Sequence, residues 1–152
     1  MLLSFADGTP FATGAIPYDY APVGSDETPR LLLQVDFEGI RATALVDTGA
    51  PYVVCAPAIA RLLDLDSTTA LEQIVLFIRG LRISGSLYRL TLSFPALWGE
   101  PLDVETTVFV PAGHSAVDWG DIPSFIGLTG CLERMRFAVD SATETFFFGP
   151  LT

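Results

Sequence analysis

One carboxylate in an unusual local setting is the residue best placed to do chemistry in this sequence. Asp47 directly follows an apolar run and is itself followed by Thr48 and Gly49. Glycine permits the tight turn that this order of residues needs, and backbone amides can hold a carboxylate on such a turn. A carboxylate fixed in this way can accept or release a proton beside a substrate. The plain alternative is a strand-end turn in which Asp47 and Thr48 only cap backbone amides.

The residues around Asp47 predict the elements that position it. Before Asp47, two runs of alternating side chains are typical of strands, and a tight connection at Glu38-Gly39 joins them. A further short β-type run follows the turn at Asp47. Pro57 is suited to the first position of a helix, and apolar residues recur after it at helical spacing. We therefore predict strands at residues 31–37, 40–46 and 52–55, followed by a helix at residues 58–65.

A second informative segment lies far downstream, where two apolar residues precede a glycine. Residues 122–128 contain Phe125 and Ile126 followed by Gly127. The residues after this segment have a short helical pattern and then two β-type runs. We predict a helix at residues 130–136 and strands at residues 137–140 and 143–148.

In this order the two segments resemble the retropepsin-like (retroviral-type) aspartic protease family, in the form of a single-domain prokaryotic-type member. The resemblance covers about residues 30–149. It implies an all-β fold, a closed acid-protease (retropepsin-like) barrel with one or two short helices, in which the apolar-Gly strand lies beside the catalytic loop. It also implies catalytic roles for Asp47, Thr48 and Gly49 and substrate-binding roles for Ala50, Ile126 and Gly127.

The chemistry that this resemblance implies needs two carboxylates. One must deprotonate water while the other protonates the carbonyl oxygen of the peptide, and two close carboxylates that share a proton can do both. The chain has one Asp-Thr-Gly, and Asp140 lies in a Val-Asp-Ser-Ala stretch without the glycine, where a turn role is plausible. The second carboxylate must then come from another copy, which predicts a C2 homodimer with Asp47 at the axis and activity at acidic pH.

Residues 77–88 are the best candidate for a flap, the hairpin that closes over the peptide in this family. The segment contains Gly80 and Gly85, residues typical of hairpin turns and bulges. Its tip is basic and apolar instead of glycine-rich, which departs from the family pattern. Arg79 or Arg82 could contact an acidic substrate, or both could be solvated strand charges. The flap residues assigned to substrate binding are Ile78, Arg79, Gly80 and Leu81.

Length and composition indicate one folded domain. The chain has 152 residues, half of them apolar and eleven of them Phe, which is enough to form a core without disulfides or metals. We predict further strands at residues 90–94 and 106–110, a domain at residues 30–152 and an extended N-terminal arm at residues 1–29. No signal-peptide pattern is apparent and the apolar runs are short, so we expect a cytoplasmic protein without a membrane span.

Several other kinds of site are poorly supported. The formal net charge of −10 argues against nucleic-acid binding. One His and no spaced Cys pairs provide no metal ligand set, and we expect no cofactor. Cys55 and Cys131 are expected to be reduced core thiols, and His114 a surface loop residue. The acids around Trp119 are expected to form a surface turn.

The sequence therefore predicts an aspartic endopeptidase that acts on peptide or protein substrates as a homodimer. One alternative is a weakly active or inactive dimerisation or peptide-binding module with the same fold. Another is a regulatory domain from a larger system that acts on one partner only.

Overall fold

The regular secondary structure consists mostly of β-strands, with one short α-helix. A computed structural model describes residues 2–113 and 119–152, and strands make up 54% of it. His114, for which a surface position was predicted, lies outside the described residues. The described elements are β1 Gly14–Pro17, β2 Asp19–Val23, β3 Asp26–Phe37, β4 Ile40–Val46, β5 Val53–Val54, α1 Pro57–Leu63, β6 Glu72–Ile78, β7 Leu81–Phe94, β8 Trp98–Gly99, β9 Leu102–Pro111, β10 Ser124–Ile126, β11 Met135–Asp140 and β12 Thr145–Pro150. The prediction of an all-β fold is confirmed.

These strands form two sheets. The large sheet has the order β2-β3-β4-β10-β5-β9-β7-β6, and the small sheet has the order β11-β12-β1-β8. The end of β3 also pairs with β7, where Asp36 and Phe37 lie opposite Ser93 and Leu92. This extra pairing brings two distant strands of the large sheet together. The closed barrel that the sequence suggested remains a prediction.

The elements before and after Asp47 agree with the sequence prediction. β3 and β4 pair antiparallel through a turn at Glu38 and Gly39, which have φ values of 46° and 88°. Pro57 is at the start of α1 as predicted, and the helix ends where Asp64 adopts a left-handed conformation with φ of 48°. The helix is shorter than predicted because this conformation stops it.

The second predicted helix, at residues 130–136, is wrong. The chain there has only a 3₁₀ turn at Leu132–Arg134, and β11 begins at Met135. Gly130 has φ of +75°, which is incompatible with a right-handed helix at that residue. Met135 and Arg136 instead pair with Pro150 and Gly149 of β12. Tertiary pairing therefore overrides the local helical pattern.

Residues 1–29 contribute strands to both sheets. β1 lies between β12 and β8 in the small sheet, and β2 pairs with β3 at the edge of the large sheet. β3 crosses the predicted boundary between residues 29 and 30. The division into an arm and a domain at that position remains a prediction.

Two apolar clusters form the core. The first contains Phe37, Phe94, Phe146 and Phe148, all fully buried. The second lies around Phe109 and includes Leu45, Val54, Trp119 and Phe125. Leu45 and Phe125 are in β4 and β10, so the second cluster packs against the strands that carry the candidate site. Among residues 2–113 and 119–152, no helix is both long and apolar enough to span a bilayer.

Candidate active site

Asp47 lies at the end of a pair of parallel strands. β4 and β10 run in the same direction, with Ala44, Leu45 and Val46 opposite Ser124, Phe125 and Ile126. Because parallel strands end at the same edge of a sheet, the residues that follow β4 and β10 meet there. The two segments that the sequence analysis singled out are therefore adjacent in space.

Hydrogen bonds fix the loop around Asp47. The Gly49 amide donates to Asp47 Oδ1 over 2.9 Å. The Ala50 amide donates to the carbonyl oxygen of Asp47 over 3.0 Å, and the Asp47 amide donates to that of Ile126 over the same distance. No group of residues 2–113 or 119–152 donates to Oδ2 of Asp47. The Gly49 amide thus holds one oxygen of the carboxylate, and the other oxygen is available.

Asp47 lies on an open surface of the isolated chain. Its side chain is partly exposed, and Thr48 and Gly49 are exposed. A cleft of about 340 Å³ lies between α1 and residues 119–124, at the start of β10. Asp47 is at the opposite end of β10 and does not line this cleft. The chain by itself therefore does not enclose its candidate carboxylate.

Gly127 allows the loop after β4 to pack closely against the end of β10. A Cβ atom at this position would lie 2.1 Å from the carbonyl oxygen of Tyr52 and 2.6 Å from that of Ala50. The Leu128 amide donates to the same Ala50 oxygen over 2.9 Å. Ile126 is fully buried in the first cluster. Both residues lie beside the Asp47 loop as predicted, but their side-chain positions face the protein interior.

Ser124 positions the start of β10, a role that the sequence analysis missed. Its hydroxyl oxygen accepts a hydrogen bond from the Ala56 amide over 2.9 Å, and its side chain is buried. Ala56 is the residue before α1, so the bond connects β10 to the helix. In the sequence, the only signal for this role is that Ser124 is a polar residue in an otherwise apolar segment.

The predicted flap is a hairpin of β6 and β7. Arg79 and Gly80 form its two-residue turn and have φ values of 51° and 78°, as in the type I′ turns that suit hairpins. Gly85 does not form a turn or a bulge, contrary to the expectation for this glycine. It lies within regular pairings with β6 and β9, opposite Ile74 and Pro111.

Gly85 is instead required by close packing. A Cβ atom there would lie 2.4 Å from the carbonyl oxygen of Val110 and 2.6 Å from the ring of Phe109. The hairpin base is therefore pressed against β9 at this residue. Because glycine has no side-chain atoms, β7 and β9 can approach each other closely at this residue.

One face of the hairpin packs toward the strands that carry Asp47. Ile78 is partly buried and packs with Ile74 and Leu76 against the second cluster, which includes Leu45 and Phe125. Arg79, Gly80 and Leu81 are exposed at the tip. Contact of Ala50 and these four hairpin residues with a substrate remains a prediction.

The two cysteines are not candidate nucleophiles. Both are free and buried, which confirms the prediction of reduced core thiols. Burial raises the pKa of each thiol from 9.0 to about 12, so neither forms a thiolate near neutral pH. Within the described residues, no group of three or more His, Cys, Asp or Glu could hold a metal ion.

Comparison with solved structures identifies the fold. A retropepsin-like aspartic protease from Rickettsia conorii superposes with a TM-score of 0.55 at 20% sequence identity, covering 91% of this chain and 94% of that one. The retroviral protease-like domain of Ddi1 from Leishmania major gives a TM-score of 0.46 at 16% identity, with 80% and 94% covered. No family model and no curated protein matches the sequence. The chain has a retropepsin-like fold, as its sequence predicted.

Proposed function

We propose that this protein is an aspartic endopeptidase whose active site forms between two copies of the chain. The observation that carries the proposal is the position of Asp47. Its carboxylate accepts a hydrogen bond from the Gly49 amide, on a turn where the parallel strands β4 and β10 both end. This turn belongs to a retropepsin-like fold. One oxygen is fixed while the other is available for a proton or a water molecule.

The proposed reaction uses two Asp47 side chains that share one proton. Like charges at close distance oppose the ionisation of both, so one carboxyl group stays protonated while the other is charged. The charged group takes a proton from water, the water oxygen attacks the peptide carbonyl carbon, and the protonated group donates to the carbonyl oxygen. Collapse of this intermediate with a proton transferred to the leaving nitrogen yields an acid and an amine.

Asp140 is a poor candidate for the second carboxylate. It accepts hydrogen bonds from the Ala142 amide over 2.9 Å and the Thr143 hydroxyl over 2.8 Å. These bonds lower the pKa of Asp140, with the Thr143 hydroxyl as the main cause. Both partners belong to the turn between β11 and β12, which gives the acid a local structural role. This supports a homodimer as the source of the second group.

The residues around Asp47 have separate proposed roles. Thr48 is exposed and would hydrogen-bond across the axis to the second loop. Gly49 orients the carboxylate through its amide, and Ala50 leaves space for substrate. The tip of the β6–β7 hairpin, with Ile78, Arg79, Gly80 and Leu81, would close over the peptide and exclude water.

A peptide-binding or dimerisation module without hydrolysis is the second candidate. The observation that favours it is the basic hairpin tip, in which Arg79 takes the left-handed position that glycine or asparagine usually occupies. Such a module would keep the fold and the dimer but would not cleave peptides.

Cleavage of a mixed peptide library between about pH 3 and 7 tests the proposal. The wild type is compared with Asp47→Asn at concentrations where sedimentation shows a dimer. We expect an acidic optimum, a rate that rises faster than linearly with enzyme concentration, and a loss of about 10²–10⁴-fold in Asp47→Asn. Asp64→Asn is the matched control because Asp64 is exposed at the end of α1, and it should retain wild-type activity.

Two results would contradict the proposal. Equal cleavage by the wild type and Asp47→Asn would remove Asp47 from the mechanism. A wild-type dimer that cleaves no peptide in this range would favour the binding module.

A further inference from the structure

A second cleft lies on the outer face of the small sheet, separate from the candidate active site. Its volume is about 410 Å³, within the range of small-molecule pockets. Neighbouring strands form its floor, where Trp98 of β8 pairs with Ala15 of β1, and Ala15 pairs with Phe147 of β12. The other lining residues are Leu2, Asp140, Thr143 and Thr145. None of these residues belongs to the Asp47 loop or to the β6–β7 hairpin.

Alternation along β12 explains why the core does not fill this face of the sheet. Phe146 and Phe148 belong to the first apolar cluster and are fully buried. Phe147 lies between them, so its side chain is on the opposite face, where it is only partly buried. Trp98 is on the same face as Phe147 and is 47% exposed. Two aromatic side chains thus border the cleft with surface that the rest of the described chain leaves uncovered.

A fixed carboxylate borders the cleft at the turn between β11 and β12. Asp140 accepts hydrogen bonds from the Ala142 amide over 2.9 Å and from the Thr143 hydroxyl over 2.8 Å. The buried Thr145 hydroxyl donates to the carbonyl oxygen of Thr143 over 3.2 Å. The bonds to Asp140 lower its pKa, with the Thr143 hydroxyl as the main cause, so the carboxylate is charged at neutral pH. A carboxylate can accept about four hydrogen bonds, which leaves Asp140 able to bind a further donor.

The charges around the cleft favour a cation. None of its described lining residues is basic. Glu144, in the same turn as Asp140, adds a second exposed acid. The basic residue of β11, Arg136, lies four residues before Asp140 and donates to the carbonyl oxygens of Pro10 and Leu151. The negative potential at the turn therefore attracts a positive group and disfavours an anion.

We propose that this cleft binds a small organic cation, a primary amine attached to an apolar group about the size of an amino-acid side chain. The ammonium group donates to Asp140, whose orientation the turn already fixes. The apolar group packs against Trp98, Phe147 and Leu2, and the aromatic rings supply most of that contact. The site goes beyond the proposed function, because its residues take no part in the proposed peptide cleavage.

The first test compares probes of similar size on the wild-type protein. Phenethylamine is the cation, phenethyl alcohol its neutral counterpart and hydrocinnamate the anion. Binding is followed by NMR of the isotope-labelled protein, in which the Trp98 indole and the amides of residues 140–147 report on the cleft. The other tryptophan, Trp119, is 3% exposed, and its indole signal should not respond.

We expect a clear order of affinity among these probes. Phenethylamine should bind about tenfold more tightly than phenethyl alcohol, because it adds a hydrogen bond between charged groups. Hydrocinnamate should bind more weakly than the alcohol, because its carboxylate is repelled by Asp140. The chemical shifts that change should be those of Trp98 and of residues 140–147.

The second test uses variants at the two sides of the cleft. Asp140→Asn keeps an acceptor for the Ala142 amide but removes the charge, so the preference for the amine over the alcohol should disappear. Trp98→Leu should weaken the binding of both probes by roughly 3- to 10-fold, because a stacking surface is lost. Asp19→Asn and Tyr20→Leu are the controls at exposed positions of β2, and both should bind as the wild type does. Circular dichroism checks that each variant is folded.

Three results would overturn the amine site. They are shifts confined to other parts of the protein, equal binding of the amine and the alcohol by the wild type, and an unchanged preference in a folded Asp140→Asn. The comparison of probes on the wild type decides the question even if a variant fails to fold. Peptide cleavage plays no part in these measurements, so their failure leaves the endopeptidase proposal intact.

Discussion

The Asp47 amide donates to the carbonyl oxygen of Ile126 over 3.0 Å, and this bond joins the two segments that define the candidate site. It continues the parallel pairing of β4 and β10 by one residue beyond Val46 and Ile126. The carboxylate is therefore attached to the strand framework through its own backbone. The orientation of the Asp47 carboxylate therefore depends on how closely Gly127, the residue after Ile126, packs against the loop.

Gly127→Ala should destabilise the protein strongly. The added Cβ atom would meet two backbone oxygens, those of Tyr52 and Ala50, at 2.1 and 2.6 Å, so the Asp47 loop would have to move. We expect the free energy of unfolding to fall by about 2–4 kcal/mol in urea titration, with loss of any peptide cleavage. Gly113→Ala is the control because no atom of residues 2–113 or 119–152 lies within 4 Å of its Cβ position. Equal stability of the two variants would contradict the packing described for Gly127.

Gly85→Ala and Gly80→Ala should differ in their effect on the proposed flap. At Gly85 the new atom would collide with Val110 and Phe109 and push the hairpin base away from β9. We expect kcat/KM to fall roughly 10- to 100-fold because the hairpin is misplaced. Gly80 has φ of +78°, and no atom of the described residues lies within 4 Å of its Cβ position, so Gly80→Ala should cost about 1–2 kcal/mol of stability. A larger loss of kcat/KM at Gly80 than at Gly85 would assign the critical contact to the tip.

The buried thiols should make the fold sensitive to alkali. Burial raises the pKa of Cys55 and Cys131 from 9.0 to about 12, so above pH 9.0 the unfolded chain releases protons that the folded chain retains. Stability should then fall between pH 9.0 and about 12, by about 1.4 kcal/mol per pH unit for each thiol. Urea titrations at several pH values measure this fall.

Replacement of both cysteines by Ala is the control for that measurement. The double variant should be less stable at neutral pH because two cavities form, but its stability should depend less on pH above 9. Some dependence should remain, since burial also raises the pKa of Tyr18, with a smaller contribution from Glu144. A slope unchanged by the double substitution would assign the alkaline sensitivity to other groups.

Local sequence patterns predicted much of the fold around the candidate site. The turn at Glu38-Gly39, the strand before Asp47 and the start of α1 at Pro57 depend on neighbouring residues, and all three are present. The helix expected at residues 130–136 is absent, because β12 provides backbone partners that the local pattern could not reveal. The local pattern at Gly85 predicts a turn or bulge, which is wrong for the same reason, since its close neighbours Phe109 and Val110 are distant in sequence.

The chemistry available at Asp47 could be predicted from the residues next to it in the chain. The bond from the Gly49 amide to the carboxylate spans two residues, so it follows from local geometry alone. Three other features of the site depend on long-range packing: β10 ends beside this turn, Gly127 must lack a side chain, and Ser124 holds the start of the strand. Those contacts join residues far apart in the chain, and their free energy arises when the strands pack together.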